Sequence, residues 1–397
     1  MTLDDLAFLL SNEGQRWLAE LSETAVTPQT HLQIATWLRQ KLPKTQAQAI
    51  LETIVLRQHA AAKFSRASQM YFVRAALEQA SAEVVAQHRA RRFAALGCQH
   101  IADLGCGIGG DALALAAQTE VTGVEWDPVR LAMAQENVRV YGHGSRFHPL
   151  QADLHSLTPL REMDALFFDP ARRDEHGRRF FSLAQYQPPL SLVDQWRAVV
   201  PETAVKISPG VDYAELPEGA EVEFISLDGE MKEAVLWYGR LHSGVARRAT
   251  LLPAGHTLTT ADLPGEAIPS SPPQAYLYEP DGAVIRAHLV QALAAKLEAN
   301  QIDESIAYLT AETAVATPFA RCFAVEDAFP FQLKQLRHYL RERRVGSVTI
   351  KKRGSPLEPE TLQRQLRLSG HKDMHRILFL THVLGEPSVI VATAEMG

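Results

Sequence analysis

The chain is poor in cysteine: Cys98, Cys106 and Cys322 are its only three in 397 residues. They are too few and too scattered for a disulfide framework, and no Cys-x-x-Cys pair offers the spacing of a zinc site. A reducing compartment and no metal are expected. Long apolar runs are also missing, since no stretch approaches the 18 or so residues that a membrane span requires. The opening MTLDDLAFLLSNEG places Asp4 and Asp5 where a signal peptide carries positive charge. These features predict a cytoplasmic protein without a membrane partner. Neither sign of charge dominates, the formal net charge being -6. That excludes a surface basic all over, of the kind that coats nucleic acid, and leaves room for a local basic face. Internal repeats and low-complexity tracts are absent too. What is present, 46% hydrophobic and 22% charged residues, suits a soluble globular chain of two or three domains.

Three textures follow one another. Residues 1–97 show apolar residues at helical spacing, as in LDDLAFLLSNEGQRWLAEL and HLQIATWLRQKL, and predict a helical N-terminal domain. Over 98–240, short apolar runs (HIADLGC, VTGVEW, ALFFDP, AVKISP, EVEFIS, EAVLWYG) alternate with amphipathic stretches, which predicts a mostly parallel sheet with helices on both faces. Residues 241–275 are rich in Pro, Gly, Ser and Thr and read as a linker that includes an irregular hairpin. Residues 276–397 read as a small α/β domain. Its last part, 331–397, carries twelve Lys and Arg against six Asp and Glu, so the rest of the chain is at -12.

IADLGCGIGGDALALA (101–116) is a strand, a glycine turn and a helix start. Gly105, Gly107 and Gly110 satisfy G-x-G-x-x-G, and on the glycines alone a dinucleotide-binding dehydrogenase is a fair reading. Asp103 argues against it, because a carboxylate at that strand tip repels a pyrophosphate and attracts the amine and sulfonium charges of S-adenosylmethionine. Glu125, at the next strand end, can accept from both ribose hydroxyls in either case. Asp153 and Asp169 follow two further apolar segments. In an open parallel sheet ligands bind beyond the carboxyl ends of the strands, so Asp103, Glu125, Asp153 and Asp169 should line one crevice.

The run from DLGCGIGG through VEWDPVRLAMAQENVRVYG to QADL and FFDP resembles the class I S-adenosylmethionine-dependent methyltransferases. The resemblance implies a Rossmann-like α/β sheet and S-adenosylmethionine as cofactor. It implies a cofactor loop of Asp103, Gly105, Gly107 and Gly109, with Glu125 on the ribose and Asp153 on the adenine amino group; a helix N-cap is the competing reading of Asp153. FSRASQMYF is similar to the segment that covers the cofactor in RNA guanine amino-methyltransferases of the trimethylguanosine synthase type, which makes Lys63, Phe64 and Tyr71 rim candidates, with core packing as the alternative.

Methyl transfer rests on holding an acceptor in line with the sulfonium carbon. Asp169 and the carbonyl of Pro170 can accept two hydrogen bonds from an amino group and offset the charge that develops on nitrogen. Where amino-methylating enzymes place a second proline and an aromatic, this chain has Ala171 and Arg172. Arg172 can stack on a base, and Arg173 can hold a phosphate at the same mouth. Lys206 and Glu233, on later strands, are weaker candidates for the substrate cleft. VGSVTIKKRGSP and the segment after it resemble the THUMP-like domain that follows such methyltransferase domains. This resemblance implies RNA as partner, with Lys351, Lys352 and Arg353 as phosphate contacts; a solvated turn competes. The expected function is methyl transfer to an amino nitrogen of a base in structured RNA. The alternatives are methylation of a protein or small molecule, and a non-catalytic RNA-binding protein that retains the cofactor pocket.

Overall fold

The computed structural model describes residues 1–157, 161–170 and 182–396. The chain divides into two compact units, Met1–Glu221 with Glu233–Gly244, and Val222–Lys232 with Val245–Gly397.

The first unit begins with helices, opened by a capping box in which Asp5 N donates to Thr2 Oγ1 and Thr2 N donates to an Asp5 carboxylate oxygen. Helices Lys44–Ala60, Arg74–Gln79 and Glu83–Leu96 lead into the sheet, and the last ends on Gly97 at φ 81°. The sheet comprises β1 (His100–Leu104), β2 (Glu120–Glu125), β3 (Phe147–Gln151), β4 (Ala165–Phe168) and β5 (Thr203–Ile207). They run parallel in the order β3-β2-β1-β4-β5. After β6 (Glu221–Leu227) comes β7 (Glu230–Trp237), which pairs antiparallel with β5. Every residue of β4 and β5 is buried, as expected of central strands covered on both faces. Aromatic contacts mark the packing on each side: Phe93 against Trp237, with centroids 5.8 Å apart, and Phe168 edge-on to Trp196 at 5.1 Å. The predicted N-terminal helices and the sheet thus share one compact unit.

In the second unit, residues 241–275 are more ordered than a linker. β8 (Arg247–Leu252) and β9 (His256–Thr259) form an antiparallel hairpin, and β8 also pairs in parallel with β6. A second sheet contains β10 (Tyr276–Pro280), β11 (Asn300–Asp303), β12 (Ile306–Ala311), β13 (Ala320–Pro330), β14 (Val345–Lys352), β15 (His371–Val383) and β16 (Glu386–Met396). Its order is β11-β12-β10-β13-β16-β15-β14, antiparallel except where β14 runs beside β15. Helices Leu333–Glu342 and Pro359–Leu366 bury Leu336, Tyr339, Leu340, Leu362 and Leu366 in the same cluster as Leu378 and Val391 of the sheet.

Candidate active site

A cavity of about 420 Å³ opens beyond the carboxyl ends of β1, β2 and β4. Asp103, Glu125, Asp153 and Asp169 all line it, together with Gly105, Gly107 and Pro170. Parallel pairing explains the convergence, since β2, β1 and β4 lie side by side in register and each delivers its last residues to one edge.

The glycine loop is shaped by positive φ: 79° at Gly105, 54° at Gly107 and 82° at Gly109. The three serve different ends. A Cβ on Gly105 would lie 3.3 Å from the carbonyl oxygen of Asp169, and one on Gly107 would meet nothing within 4 Å. Gly109, expected in the cofactor loop, does not line the cavity. Its Cα backs onto the helix Pro128–Val140, where a Cβ would come within 3.1 Å of Ala134 Cα, and Gly110 lines the cavity instead.

Glu125 is buried and braces the loop it faces. Its Oε2 accepts from Gly107 N at 3.1 Å and its Oε1 from Asp127 N at 3.0 Å. A carboxylate has about four lone-pair sites, so two remain for a ligand's hydroxyls. Asp127 caps the next helix through Val129 N and Arg130 N. Asp153 Oδ1 accepts from His155 N at 2.9 Å in a local turn, with the residue still on the cavity wall.

Asp103 is the anomaly. It is 1% exposed, and neither carboxylate oxygen has a hydrogen-bond partner among the described residues. Burial, reinforced by the Asp111 and Asp169 carboxylates and opposed by Arg89 and Lys206, pushes its carboxyl well above the usual carboxylate range. An orphaned acid facing a cavity is what a cationic ligand would complete. Cys106 also lines the cavity, but burial, followed by Asp103 and Glu125, pushes its thiol up, leaving it protonated and a poor nucleophile.

Around these acids sit buried cations that sequence reasoning ranked low or missed. Lys206, 1% exposed on β5, forms an ion pair with Asp169 Oδ2. Arg89, equally buried, is clasped between Asp111 and Glu233, with Phe167 beneath its guanidinium at 5.1 Å. Lys206 and Glu233 are therefore interior, not solvated strand ends. No local pattern marks Arg89, which reads as one more charge in the helical stretch EVVAQHRARRF.

Lys63 and Tyr71, expected at the cofactor rim, do not line the cavity. Lys63 Nζ donates to the carbonyls of Leu77 and Ala80 at 2.7 and 2.8 Å, so it fastens the end of the helix whose Ala76, Gln79 and Ala80 form one wall. Tyr71 is buried, its hydroxyl accepts from Gln15, and Asn137 ties its backbone to the carbonyl of Ile108 in the glycine loop. Phe64 is buried within 3.7 Å of where a Cβ on Gly110 would sit. None of the three rim candidates lines the cavity; each instead packs against or bonds to residues that do or that adjoin the glycine loop. The missed wall residue with the clearest signal is Trp126, 69% exposed directly after Glu125. Arg172 and Arg173 lie outside the described residues. Lys351, Lys352 and Arg353 belong to the second unit, where Lys351 pairs with Glu279 and Lys352 with Glu358 at 2.7 Å. Lys351 and Lys352 thus have local counter-charges, while Arg353 lies over the Tyr308 ring. Among the described residues no His, Cys, Asp and Glu cluster is fit for a metal, and no helix is long and apolar enough to cross a membrane.

A doubly wound sheet with an acidic crevice at its strand ends and an orphaned carboxylate for a cation defines a Rossmann-like methyltransferase domain. Comparison with known proteins agrees. Residues 101–172 match the methyltransferase domain family, 320–394 the THUMP domain-like family and 2–60 a domain of unknown function. The chain is 37% identical over 341 residues to an uncharacterized S-adenosylmethionine-dependent methyltransferase of Mycobacterium tuberculosis (strain CDC 1551 / Oshkosh), covering 82% of this chain and 90% of the relative. The protein of the same description from strain ATCC 25618 / H37Rv matches equally. A crystal structure described as a "putative methyltransferase", from Porphyromonas gingivalis W83, superposes with a TM-score of 0.75 at 20% identity, covering 94% of this chain and all of that one. The chain belongs to the S-adenosylmethionine-dependent methyltransferases and carries a THUMP-like domain; S-adenosylmethionine is its cofactor.

Proposed function

We propose that the chain methylates an amino nitrogen of a base in structured RNA. The observation that carries this reading is the acceptor corner of the cavity, where Asp169 and Pro170 stand at the end of β4 beside the orphaned Asp103. The THUMP domain-like match over 320–394 supports RNA as the substrate class.

When bound, S-adenosylmethionine supplies an electrophilic methyl group on a sulfonium. Asp103 would hold its ammonium, Glu125 its ribose hydroxyls and Asp153 its adenine amino group, with Trp126 offering a face to the ring. Lys206 fixes Asp169 Oδ2. The remaining oxygen of Asp169 and the Pro170 carbonyl would accept hydrogen bonds from the two N–H groups of the acceptor amine, aim its lone pair and offset the positive charge that builds on nitrogen until one of those protons leaves to solvent. Arg172 is assigned to stacking on the base and Arg173 to a phosphate, both on sequence alone.

A second reading, transfer to a small molecule or protein, is favoured by Ala171 and Arg172 in the sequence, which stand where amino-methylating enzymes place a second proline and an aromatic. Incubation of the enzyme with methyl-labelled cofactor and total RNA, cell protein or a small-molecule extract separates the two. Label in RNA, and one methylated nucleoside missing from the RNA of a deletion strain, is the expected result. Label confined to either of the other fractions would refute the RNA reading.

A further inference from the structure

The surplus of twelve basic over six acidic residues in 331–397 does not reside where the sequence suggests. Lys351 and Lys352 are spent on Glu279 and Glu358, and Arg343 and Arg376 converge on Glu326. Arg353 lies over the Tyr308 ring, 5.4 Å from its centroid. Apart from Lys372 on β15, the cations left over lie on the helices Leu333–Glu342 and Pro359–Leu366 or within two residues of their ends.

Two features set that region apart. The helices lie side by side, with Arg337 Nε donating to Gln365 O at 2.7 Å, and beyond their carboxyl ends the strands that follow meet at once, His371 N of β15 donating to Arg344 O at 3.1 Å. The approach there is so close that a Cβ on Gly370 would fall 2.0 Å from Arg344 O. Each helix is also followed closely by an exposed arginine in the left-handed region, Arg344 at φ 53° and Arg367 at φ 49°. Glycine adopts that conformation at lower cost. The helix dipole favours a cation anywhere in the last turn, so it accounts for arginine near each end but not for arginine at the residue with positive φ. Arg341 and Arg364, each three residues back on its helix, are exposed as well, and the Arg364 guanidinium reaches back along the helix surface to Glu360 O and Thr361 Oγ1, both at 3.4 Å. The acidic residues on the two helices are Glu342, paired with His338, and Glu360. The apolar sides of both helices are locked into the core, which makes this a rigid platform.

We propose that Arg341, Arg344, Arg364 and Arg367 form the face that grips the phosphodiester backbone of RNA, an inference that rests on the reading of the chain as an RNA methyltransferase. Arginine suits phosphate through its planar fork of donors, and contacts of this kind position RNA without reading its sequence.

The test uses the full chain with unfractionated tRNA in a binding titration over a range of salt, alongside transfer of label to the same RNA. Replacing all four arginines with Gln should lower the slope of log affinity against log salt by about 3 and weaken binding roughly tenfold or more near 100 mM salt. Arg344→Gly with Arg367→Gly should give about half that loss while holding or raising Tm, because glycine relieves both positive-φ residues. Lys351→Gln with Lys352→Gln should change the slope by less than about 1. If wild type methylates the RNA and the four-arginine variant binds it with unchanged slope and affinity, the face is refuted and the enzyme reading survives. If wild type transfers no label to RNA yet binds tRNA through these arginines, the enzyme reading falls and the face stands. Poly-glutamate competing as well as tRNA at equal charge would assign the face to acidic protein and overturn the proposal.

Discussion

Replacing Asp103 with Asn should stabilise the protein without cofactor and cripple its binding of cofactor. Asp103 is buried with both carboxylate oxygens unpartnered, and each such orphaned group costs about 1–3 kcal/mol, more when charged. Its folded-state pKa is raised, by burial first and by Asp111 and Asp169 next, so folding favours its neutral form. The stability associated with this group is complete below the unfolded pKa and is lost progressively as pH rises from there toward the folded pKa. Asn has nearly the same shape and no charge to bury, although its amide is buried too, so the variant without cofactor should gain only the part of that cost due to charge, at most about 1–3 kcal/mol at neutral pH. For a domain of 150–250 residues that is about 2–4 °C in Tm for each kcal/mol, with a smaller gain in mild acid. Binding moves the other way. Loss of one hydrogen bond between a carboxylate and a cation, about 1.5–3 kcal/mol, weakens S-adenosylmethionine roughly 10- to 150-fold. The wild type should also bind the cofactor more tightly as pH rises toward the folded pKa of Asp103, because the ammonium selects the ionised carboxylate, and the variant should lose that dependence. Thermal melts across pH and titration calorimetry on both proteins read all of these quantities. A variant that binds cofactor as tightly as wild type, or melts below it at neutral pH, would refute the assignment of Asp103 to the cofactor's charge.

Asp169→Asn should abolish methyl transfer while changing cofactor affinity by less than about threefold, read by single-turnover transfer and calorimetry; retained turnover would remove the acceptor role. Asp169→Ala should destabilise more than Asp169→Ala with Lys206→Met, since the single change takes the Asp169 carboxylate away from a buried ammonium, at up to about 3–5 kcal/mol, measured by denaturant unfolding. Arg89→Met should cost a similar amount, about 3–5 kcal/mol, through stranded Asp111 and Glu233. Lys63→Met, which frees the carbonyls at the end of helix Arg74–Gln79, should raise the KM for cofactor with little change in kcat; an unchanged KM would detach that helix from the site.

Much of this was legible in the order of residues. Strand, glycine turn and helix can be read at 101–116 because the pattern is local: β-period apolar residues, then glycines at positive φ, then helix formers. The four acidic strand ends were legible for a similar reason, since parallel strands in register bring their carboxyl ends to one edge whatever their side chains. Within 241–275 a hairpin was expected, but not that its strand β8 also joins β6, because strands as short as RRATLL and HTLT, set beside Pro- and Gly-rich loops, take their stability from neighbours and not from propensity.

Local sequence by itself determined the class of sheet, the loop and the acids of the site. Only the tertiary structure decided how their charges are balanced: that Asp103 has no hydrogen-bond partner among the described residues, that Lys206 answers Asp169, that Arg89 is shared by Asp111 and Glu233, and that Lys351 and Lys352 meet Glu279 and Glu358. The partners in these pairs lie up to 144 residues apart in the chain. A charge reveals its role through the dielectric and the counter-charge around it, and both are set by what the fold packs against it.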